Sequence, residues 1–191
     1  MVRASKVWNG LIVFLGGAIG LVASIMLTLE AYWRALKPKT VFSCDVNAKL
    51  SCSAVAGSWQ STLIKLPEGP VPNAVLGIAA FTVILTLGVV YACGVRMPTW
   101  FNWLFRLGVV LELVFASWLL YQSMFVIKAM CPWCLAMDGG SLLMFIGMIR
   151  LWFADHDGLR GFIAGAWSLL LEVVIIAAAV VAVTLHYAGL Y

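Results

Sequence analysis

The sequence predicts an all-α integral membrane protein with five membrane-spanning helices. Of its 191 residues, 64% are apolar and only 10% are charged, which lies outside the range of soluble globular domains. The charged residues cluster between long apolar runs, and a span needs about 20 mostly apolar residues. Lipid contains no water to hydrogen-bond unpaired backbone groups, so a membrane span must be a helix or part of a closed barrel. Continuous apolar runs such as these are typical of helices, whereas barrel strands alternate apolar and polar residues.

Five apolar runs meet that length. They cover about 11–31, 71–93, 103–127, 130–152 and 162–187, and we interpret 1–191 as a single membrane domain. The first run is too long for a cleaved secretory signal, and no small-residue cleavage site follows it. Because most connections are short, neighbouring helices should pack antiparallel as a bundle.

The connection at 34–70 is the only long one, and it holds most of the polar residues. Loops of this length are usually functional or disordered. Within 53–66, apolar residues recur at spacings of four, four and three, at Val55, Trp59, Leu63 and Leu66. This pattern predicts a short amphipathic helix on the membrane surface, which the prolines of LPEGPVPN (66–73) then end.

Four of the five cysteines fall on one side of the membrane. Cys44 and Cys52 lie in the long loop, and Cys131 and Cys134 form the CPWC turn between the third and fourth spans. Since these two connections are separated by two crossings, they share a side whichever way the chain inserts. Cys93, at the far end of the second span, is on the other side, and we interpret it as a small buried apolar residue.

The cysteines also predict the orientation. Lysine and arginine do not decide it, because six of the twelve fall on each side. Two cysteine pairs on one side indicate thiol–disulfide exchange in an oxidising, extracytoplasmic compartment, which puts the N-terminus in the cytoplasm. The net charge of +4 is spread over loop ends, so lipid and not nucleic acid is the expected partner.

The surroundings of CPWC favour reactive thiols. Pro132 suits the first turn of a helix, so Cys131 and Cys134 would occupy its N-terminal end on one face. Unpaired amides and the helix dipole there lower thiol pKa values. A redox pair is therefore the favoured interpretation. Two structural disulfides, or a zinc site of four thiolates, remain as alternatives, although the loop spacing is unusual for zinc.

Four stretches in order resemble the vitamin K epoxide reductase family: CDVNAKLSCS, Ser58, PNAVLG (72–77) and CPWC. The resemblance covers about residues 10–150 and is to bacterial homologues. It implies a four-helix transmembrane bundle around a quinone, capped by the first extracytoplasmic loop, with a fifth transmembrane helix beside it. It also implies the bacterial cytoplasmic (inner) membrane. Many bacterial relatives carry a fused thioredoxin-like domain, and we expect a separate protein to replace it here.

The resemblance implies a role for each cysteine. Cys134 would meet a menaquinone- or ubiquinone-type quinone, with Cys131 as its resolving partner. Cys52 would pass electrons to Cys131. Cys44 would receive them from an exported thioredoxin-fold dithiol carrier, while polar neighbours such as Asp45 keep the loop hydrated.

Three further residues are candidates for quinone binding. Asn73 matches an asparagine that hydrogen-bonds a quinone carbonyl in this family, although its position equally suits a helix N-cap. Ser58 matches a serine of the capping segment. Asp138 stands where animal enzymes carry a tyrosine, and an acid inside a span is a functional candidate, here for proton relay. Its alternative is an ion pair with Lys128, while we interpret Glu112 as a structural acid.

Together these features predict a disulfide-generating thiol oxidoreductase that oxidises an exported carrier and reduces a membrane quinone. One alternative is a quinone or quinone-epoxide reductase for which carrier oxidation is incidental. Another is a non-catalytic membrane scaffold with structural disulfides. A conduit of electrons across the membrane is disfavoured, because Cys93 is alone on its side.

Overall fold

The computed structural model describes residues 2–154 except 38–41, 43, 48 and 68. The predicted fifth span at 162–187 lies outside the described residues. The helices are α1 (Val2–Leu36), α2 (Cys52–Ala56), α3 (Ala74–Ala92), α4 (Thr99–Tyr121) and α5 (Pro132–Ala154). Between them lie a 3-10 turn (Trp59–Ser61), strands β1 (Thr62–Leu66) and β2 (Gly69–Pro72), and a π-helical segment (Gln122–Ile127) that continues α4.

Four of these helices are long and apolar enough to cross a membrane. They are Val7–Leu36, Ala74–Ala92, Thr99–Ile127 and Pro132–Phe153, with mean hydropathies of 2.4, 2.3, 1.8 and 1.5. The prediction of an α-helical, multi-pass membrane protein is confirmed. The helix ends differ from the predicted spans, because helix α1 already starts at Val2 and residues 71 and 72 belong to β2.

Helix α1 packs against both α3 and α5, and α4 packs against α5. The core between the helices contains the fully buried side chains of Val13, Phe81, Val109 and Met144. In lipid, burying apolar side chains does not itself drive helices together, so close backbone contact between small residues matters more.

Glycines allow α1 and α5 to touch backbone to backbone. A Cβ atom at Gly140 would lie 2.7 Å from the carbonyl oxygen of Gly16 and 2.9 Å from the backbone nitrogen of Gly20. The other face of α1 meets α3 in the same way, since a Cβ at Gly88 would lie 2.5 Å from the backbone nitrogen of Phe14. Helix α1 can therefore lie close to both α3 and α5 because glycine, which has no side chain, occupies these contact positions.

The segment between α1 and α3 differs from its prediction. Helix α2 ends at Ala56, and the residues expected to continue an amphipathic helix instead form the antiparallel pair β1 and β2. The prediction of a helix over 53–66 is wrong beyond Ala56. Thr62 and Ile64 are β-branched and favour a strand, and Gly69, with φ of 144°, makes the turn to the partner strand. Pairing with the strand that follows decided what the apolar spacing could not.

Two adjacent glycines of α5 test this packing. We expect Gly140→Ala to lower the stability of the detergent-solubilised protein by at least about 1–3 kcal/mol, because its methyl group enters the α1 backbone. Gly139→Ala is the matched control: its Cβ meets no atom of the described residues within 4 Å, and alanine favours a helix. Thermal unfolding measures both. Equal unfolding temperatures for the two variants would contradict the close contact.

Candidate functional site

A short backbone pairing joins the long loop to the turn that precedes α5. The backbone N–H of Ser51 donates to the carbonyl of Met130 (2.9 Å), and the N–H of Met130 donates to the carbonyl of Lys49 (2.8 Å). Leu50 and Met130 thus form a parallel bridge. Because each is followed closely by a cysteine, the pairing brings Cys52 and Cys131 side by side.

The end of α4 is shaped to deliver this turn. The π-helical segment is followed by its C-cap, Lys128, whose φ of 58° and ψ of 28° place it in the left-handed region. The hydroxyl of the buried Ser123 donates to the carbonyl of Ala129 (2.5 Å), and the N–H of Ala129 returns a bond to Ser123 (3.2 Å). These bonds fix the direction in which residues 129–131 leave the helix. Single-turn π-helices are frequent at functional sites.

Three cysteines meet at this pairing. Cys44 and Cys52 form a disulfide, and the sulfur of Cys131 lies 3.3 Å from that of Cys52. Cys131 and Cys134 are free thiols, and both Cys52 and Cys131 are only 1% exposed. A thiolate at this distance from a disulfide is placed for exchange. The disulfide also leaves Cys44 and Cys52 without the thiolates that the zinc interpretation requires.

The predicted helix start at CPWC is present. Pro132 is the first residue of α5, and the N–H of Leu135 donates to the carbonyl of Cys131 (3.0 Å). The Cys134 side chain hydrogen-bonds to the Cys131 sulfur and lowers its pKa. Burial acts in the opposite direction, while the backbone amides of Cys134 and Trp133 lower the pKa further. Cys131 is therefore the thiol that the helix start activates beside Cys52.

Asp45 organises the loop that carries Cys44 and Cys52. Its carboxylate accepts hydrogen bonds from the Ser51 hydroxyl (2.8 Å), the Ser53 amide (2.9 Å) and the Phe42 amide (3.0 Å), and a further one from the Ser53 hydroxyl. We expected Asp45 to keep the loop hydrated; instead it ties together the two ends of the disulfide-bonded stretch. Burial by itself raises its pKa, but the bonds from Ser53, Phe42 and Ser51 outweigh it and lower the pKa to about 2.

A cavity lies beside Cys134 and brings together every residue predicted to bind the quinone. Ser58, Asn73 and Asp138 line it, as do Cys52, Cys131 and Cys134. Its other walls are largely apolar, with Leu27 from α1, Leu119 and Leu120 from α4 and Met130 among them. A mainly apolar cavity with a few convergent polar groups is typical of a small-molecule site.

The structure shows how Asn73 and Ser58 are held at the cavity. Asn73 occupies the N-cap position of α3, as the alternative had it, but its side chain makes no cap bond and its amide donates instead to the carbonyl of Gln60 (3.0 Å). The Ser58 hydroxyl donates to the carbonyl of Val55 (2.7 Å). Gln60, which the sequence analysis did not single out, is buried, lines the cavity and donates to Gln122 (3.2 Å).

Asp138 lies one helical turn below Cys134 and faces another acid. Its electrostatic neighbour is Glu112 of α4, which accepts a hydrogen bond from Ser141. Asp138 makes no ion pair with Lys128 in the described part of the chain, so that alternative is not supported.

Glu30 is the other residue that the sequence analysis missed. It is buried in the last turns of α1, and its carboxyl oxygen Oε1 lies 3.0 Å from the sulfur of Cys44. The sequence shows Glu30 as an acid at the end of an apolar run, which could have marked it as a functional candidate. Nothing in the sequence indicates that its contact is Cys44. Cys93 is the C-cap of α3 and exposed, so the structure does not support its interpretation as a buried apolar residue.

The role of Asp45 can be tested with Asp45→Asn. The asparagine nitrogen cannot accept, so bonds of about 1 kcal/mol or more each are lost and the loop opens more often. We expect a water-soluble phosphine to reduce the Cys44–Cys52 disulfide roughly tenfold faster at neutral pH. Asn47→Asp is the control, because it keeps the acceptor for the amides of Lys49 (2.9 Å) and Leu50 (2.8 Å).

The same comparison has a pH dependence with a defined sign. The folded-state pKa of Asp45, about 2, is below its usual 3.8, so the carboxylate stabilises the loop above pH 3.8 and the effect is lost as pH falls towards 2. The difference between wild type and Asp45→Asn should therefore be largest above pH 3.8 and vanish near pH 2. A difference that grows on acidification would be evidence against this role.

The comparisons with known proteins bear on this arrangement of thiols. A family model described as the vitamin K epoxide reductase family matches residues 11–149. That range includes the loop, all four cysteines of the site and the cavity residues. A search of curated proteins finds no match for the chain.

Proposed function

Since the chain belongs to the vitamin K epoxide reductase family and is a membrane oxidoreductase, we propose that it generates disulfides. It oxidises the dithiol of an exported thioredoxin-fold carrier and transfers the electrons through two cysteine pairs to a membrane quinone. The observation that carries this proposal is the 3.3 Å separation between the Cys131 sulfur and the Cys44–Cys52 disulfide. A purely structural disulfide has no need of an activated thiol at exchange distance.

The electron path follows from the contacts between the sulfurs. The Cys52 thiolate attacks Cys131 in a Cys131–Cys134 disulfide, which forms a Cys52–Cys131 disulfide and releases the Cys134 thiolate. Cys44 then attacks Cys52, which forms the Cys44–Cys52 disulfide and releases the Cys131 thiolate. Two electrons have moved to the CPWC pair. The arrangement described above corresponds to this state, with the loop oxidised and CPWC reduced.

Oxidation of the carrier begins at Cys44. The carrier thiolate attacks Cys44, Cys52 leaves as a thiolate, and the second carrier thiol resolves the mixed disulfide. Cys44 is only 8% exposed, so the carrier reaches it after the loop has moved. A thioredoxin-fold dithiol suits this step because it presents one reactive thiol beside a second that resolves the product.

The cavity supports a quinone as the acceptor. A quinone takes up two electrons and two protons, the number that a dithiol releases on forming a disulfide. The apolar walls suit its ring and the Asn73 amide suits a ring carbonyl, while Asp138 is placed to hold a proton close to Cys134. Ser58 helps to hold the cavity wall through its bond to Val55.

The proposed location is a bacterial cytoplasmic membrane with the N-terminus in the cytoplasm. The loop and CPWC meet at one end of the bundle, and their chemistry is sustained in an oxidising compartment. Exported dithiol carriers meet membrane proteins there, and the apolar spans keep the cavity within reach of lipid-soluble quinones.

The proposal predicts that Cys134→Ala abolishes quinone reduction. In liposomes, with a reduced bacterial thioredoxin-fold carrier and a soluble menaquinone analogue, the rate should fall to the background, because Cys131 alone cannot form the CPWC disulfide that passes two electrons to the quinone. Mass-spectrometric mapping should then find Cys44, Cys52 and Cys131 as thiols, because no Cys131–Cys134 disulfide can form to reoxidise the loop that the carrier has reduced. Cys93→Ala is the control, since Cys93 is the C-cap of α3 and lines no part of the cavity. Quinone reduction by Cys134→Ala at the wild-type rate would contradict the mechanism.

Asn73 should affect binding more than turnover. Asn73→Ala removes one hydrogen bond of about 0.5–1.5 kcal/mol, so we expect the KM for the quinone analogue to rise about fivefold with a smaller change in kcat. Gln122→Ala controls for loosening of the neighbouring turn, because it frees the Gln60 side chain and leaves Asn73 in place. If the two variants changed KM equally, the direct contact would be rejected.

A further inference from the structure

Glu30 is a buried acid that pairs with no cation in the described part of the chain. It is 7% exposed, its Oε1 atom faces the sulfur of Cys44 at 3.0 Å, and its Oε2 atom is buried without a hydrogen-bond partner among the described residues. The nearest cation along α1, Arg34, is directed elsewhere and donates to the carbonyl of Ser53. Burying an ionised carboxylate here, without a cation among the described residues to balance it, would be costly.

The contact with Cys44 identifies the protonation state. Cys44 is in a disulfide, so its sulfur carries no hydrogen and the carboxyl group must be the donor in a favourable contact. Three further groups act in the same direction. Asp45 of the loop, Cys131 just before α5 and Cys134 within it place negative charge near Glu30 when they are ionised. The Trp133 side chain acts against them, because its hydrogen bond to Glu30 favours the carboxylate. Glu30 is therefore the neutral acid when the loop is oxidised.

Cys44 lacks the activation that α5 gives to Cys131. It lies on a loop, so no helix N-terminus stabilises its thiolate, and it is buried, which disfavours the charged form. A thiol in these surroundings needs a base to become a nucleophile. The Glu30 carboxyl group is the titratable group in contact with the Cys44 sulfur.

We propose that Glu30 is the general base for Cys44. In the step that closes the loop disulfide, the Glu30 carboxylate takes the proton from the Cys44 thiol, and the resulting thiolate attacks Cys52 in the Cys52–Cys131 disulfide. The Cys52–Cys131 bond breaks, the Cys44–Cys52 bond forms, and Cys131 leaves as a thiolate. The proton stays on Glu30 as the O–H that faces the Cys44 sulfur. This role rests on the proposed function, since it assigns a catalytic residue to that relay.

The protonation of Glu30 can be measured without carrier or quinone. Infrared spectra of the purified protein before and after reduction of Cys44–Cys52 by a phosphine should lose a protonated-carboxyl band. The band should be absent in Glu30→Gln and unchanged in Glu112→Gln. Glu112 is the matched control, because it is an acid of α4 whose Oε2 atom is also buried without a hydrogen-bond partner among the described residues. A band that persists on reduction, or that Glu30→Gln retains, overturns the proposal.

A single-turnover experiment tests the catalytic step. Fully reduced protein is mixed with the menaquinone analogue, quenched with acid and mapped by mass spectrometry. Wild type should yield the Cys44–Cys52 disulfide, whereas Glu30→Gln should accumulate Cys52–Cys131 and convert it about 100-fold more slowly. The rate at which Glu30→Gln converts Cys52–Cys131 should rise about tenfold per pH unit, because solvent hydroxide replaces the base. Over the same pH range the wild-type rate should be constant.

Further outcomes separate the two proposals. If wild-type protein fails to oxidise its thiols with quinone, the proposed function fails, and the infrared measurement still decides the role of Glu30. If Glu30→Gln converts Cys52–Cys131 at the wild-type rate, the base assignment is wrong. Glu30→Asp keeps the acid on a shorter side chain, so partial recovery of the rate supports the assignment where Glu30→Gln folds poorly, and no recovery by a folded Glu30→Asp counts against it.

Discussion

The redox site depends on two backbone hydrogen bonds that pair residues 49–51 with Met130. Without them Cys52 and Cys131 belong to segments 79 residues apart in sequence, and these two bonds align the segments. A strand-like pairing fixes register to a single residue, because a slip by one would turn the neighbouring side chains to the opposite face. The bridge is short, yet it determines which sulfur of the loop disulfide Cys131 meets.

Much of the fold could be predicted from the sequence, for reasons that are local. Apolar runs of membrane length can only be helices in lipid, and a proline after a cysteine favours the start of a helix, so the four described spans and Pro132 were within reach. The replacement of a predicted helix by β1 and β2 could not be predicted, because the apolar spacing of Thr62–Leu66 is compatible with a helix or with a strand. Pairing with β2 makes this segment a strand. The residues of one strand do not show which segment that strand pairs with.

The residues of the candidate site also divide into those that the sequence predicts and those that it does not. The cysteines, Asn73, Ser58 and Asp138 carry motifs, and the structure brings them to one cavity. Glu30 and Gln60 carry none, and their importance lies in contacts with Cys44 and Asn73 that only folding creates. Asp45 was visible but misread: a charged residue in a polar loop suggests hydration, whereas its four hydrogen bonds hold the loop together.

These contacts also indicate how the loop can expose Cys44 without unfolding. Asp45 binds Ser51 and Ser53, and the disulfide joins Cys44 to Cys52, so the stretch from 44 to 53 is fastened mainly to itself. The polar contacts that join it to the bundle include the Met130 pairing, the Glu30 contact and the bond from Arg34 to Ser53. Releasing the hydrogen bonds among them costs little, since each net hydrogen bond is worth only about 1 kcal/mol. The loop therefore has the internal bonding of a unit that can detach and return in register, which a relay between a water-borne carrier and a membrane cavity requires.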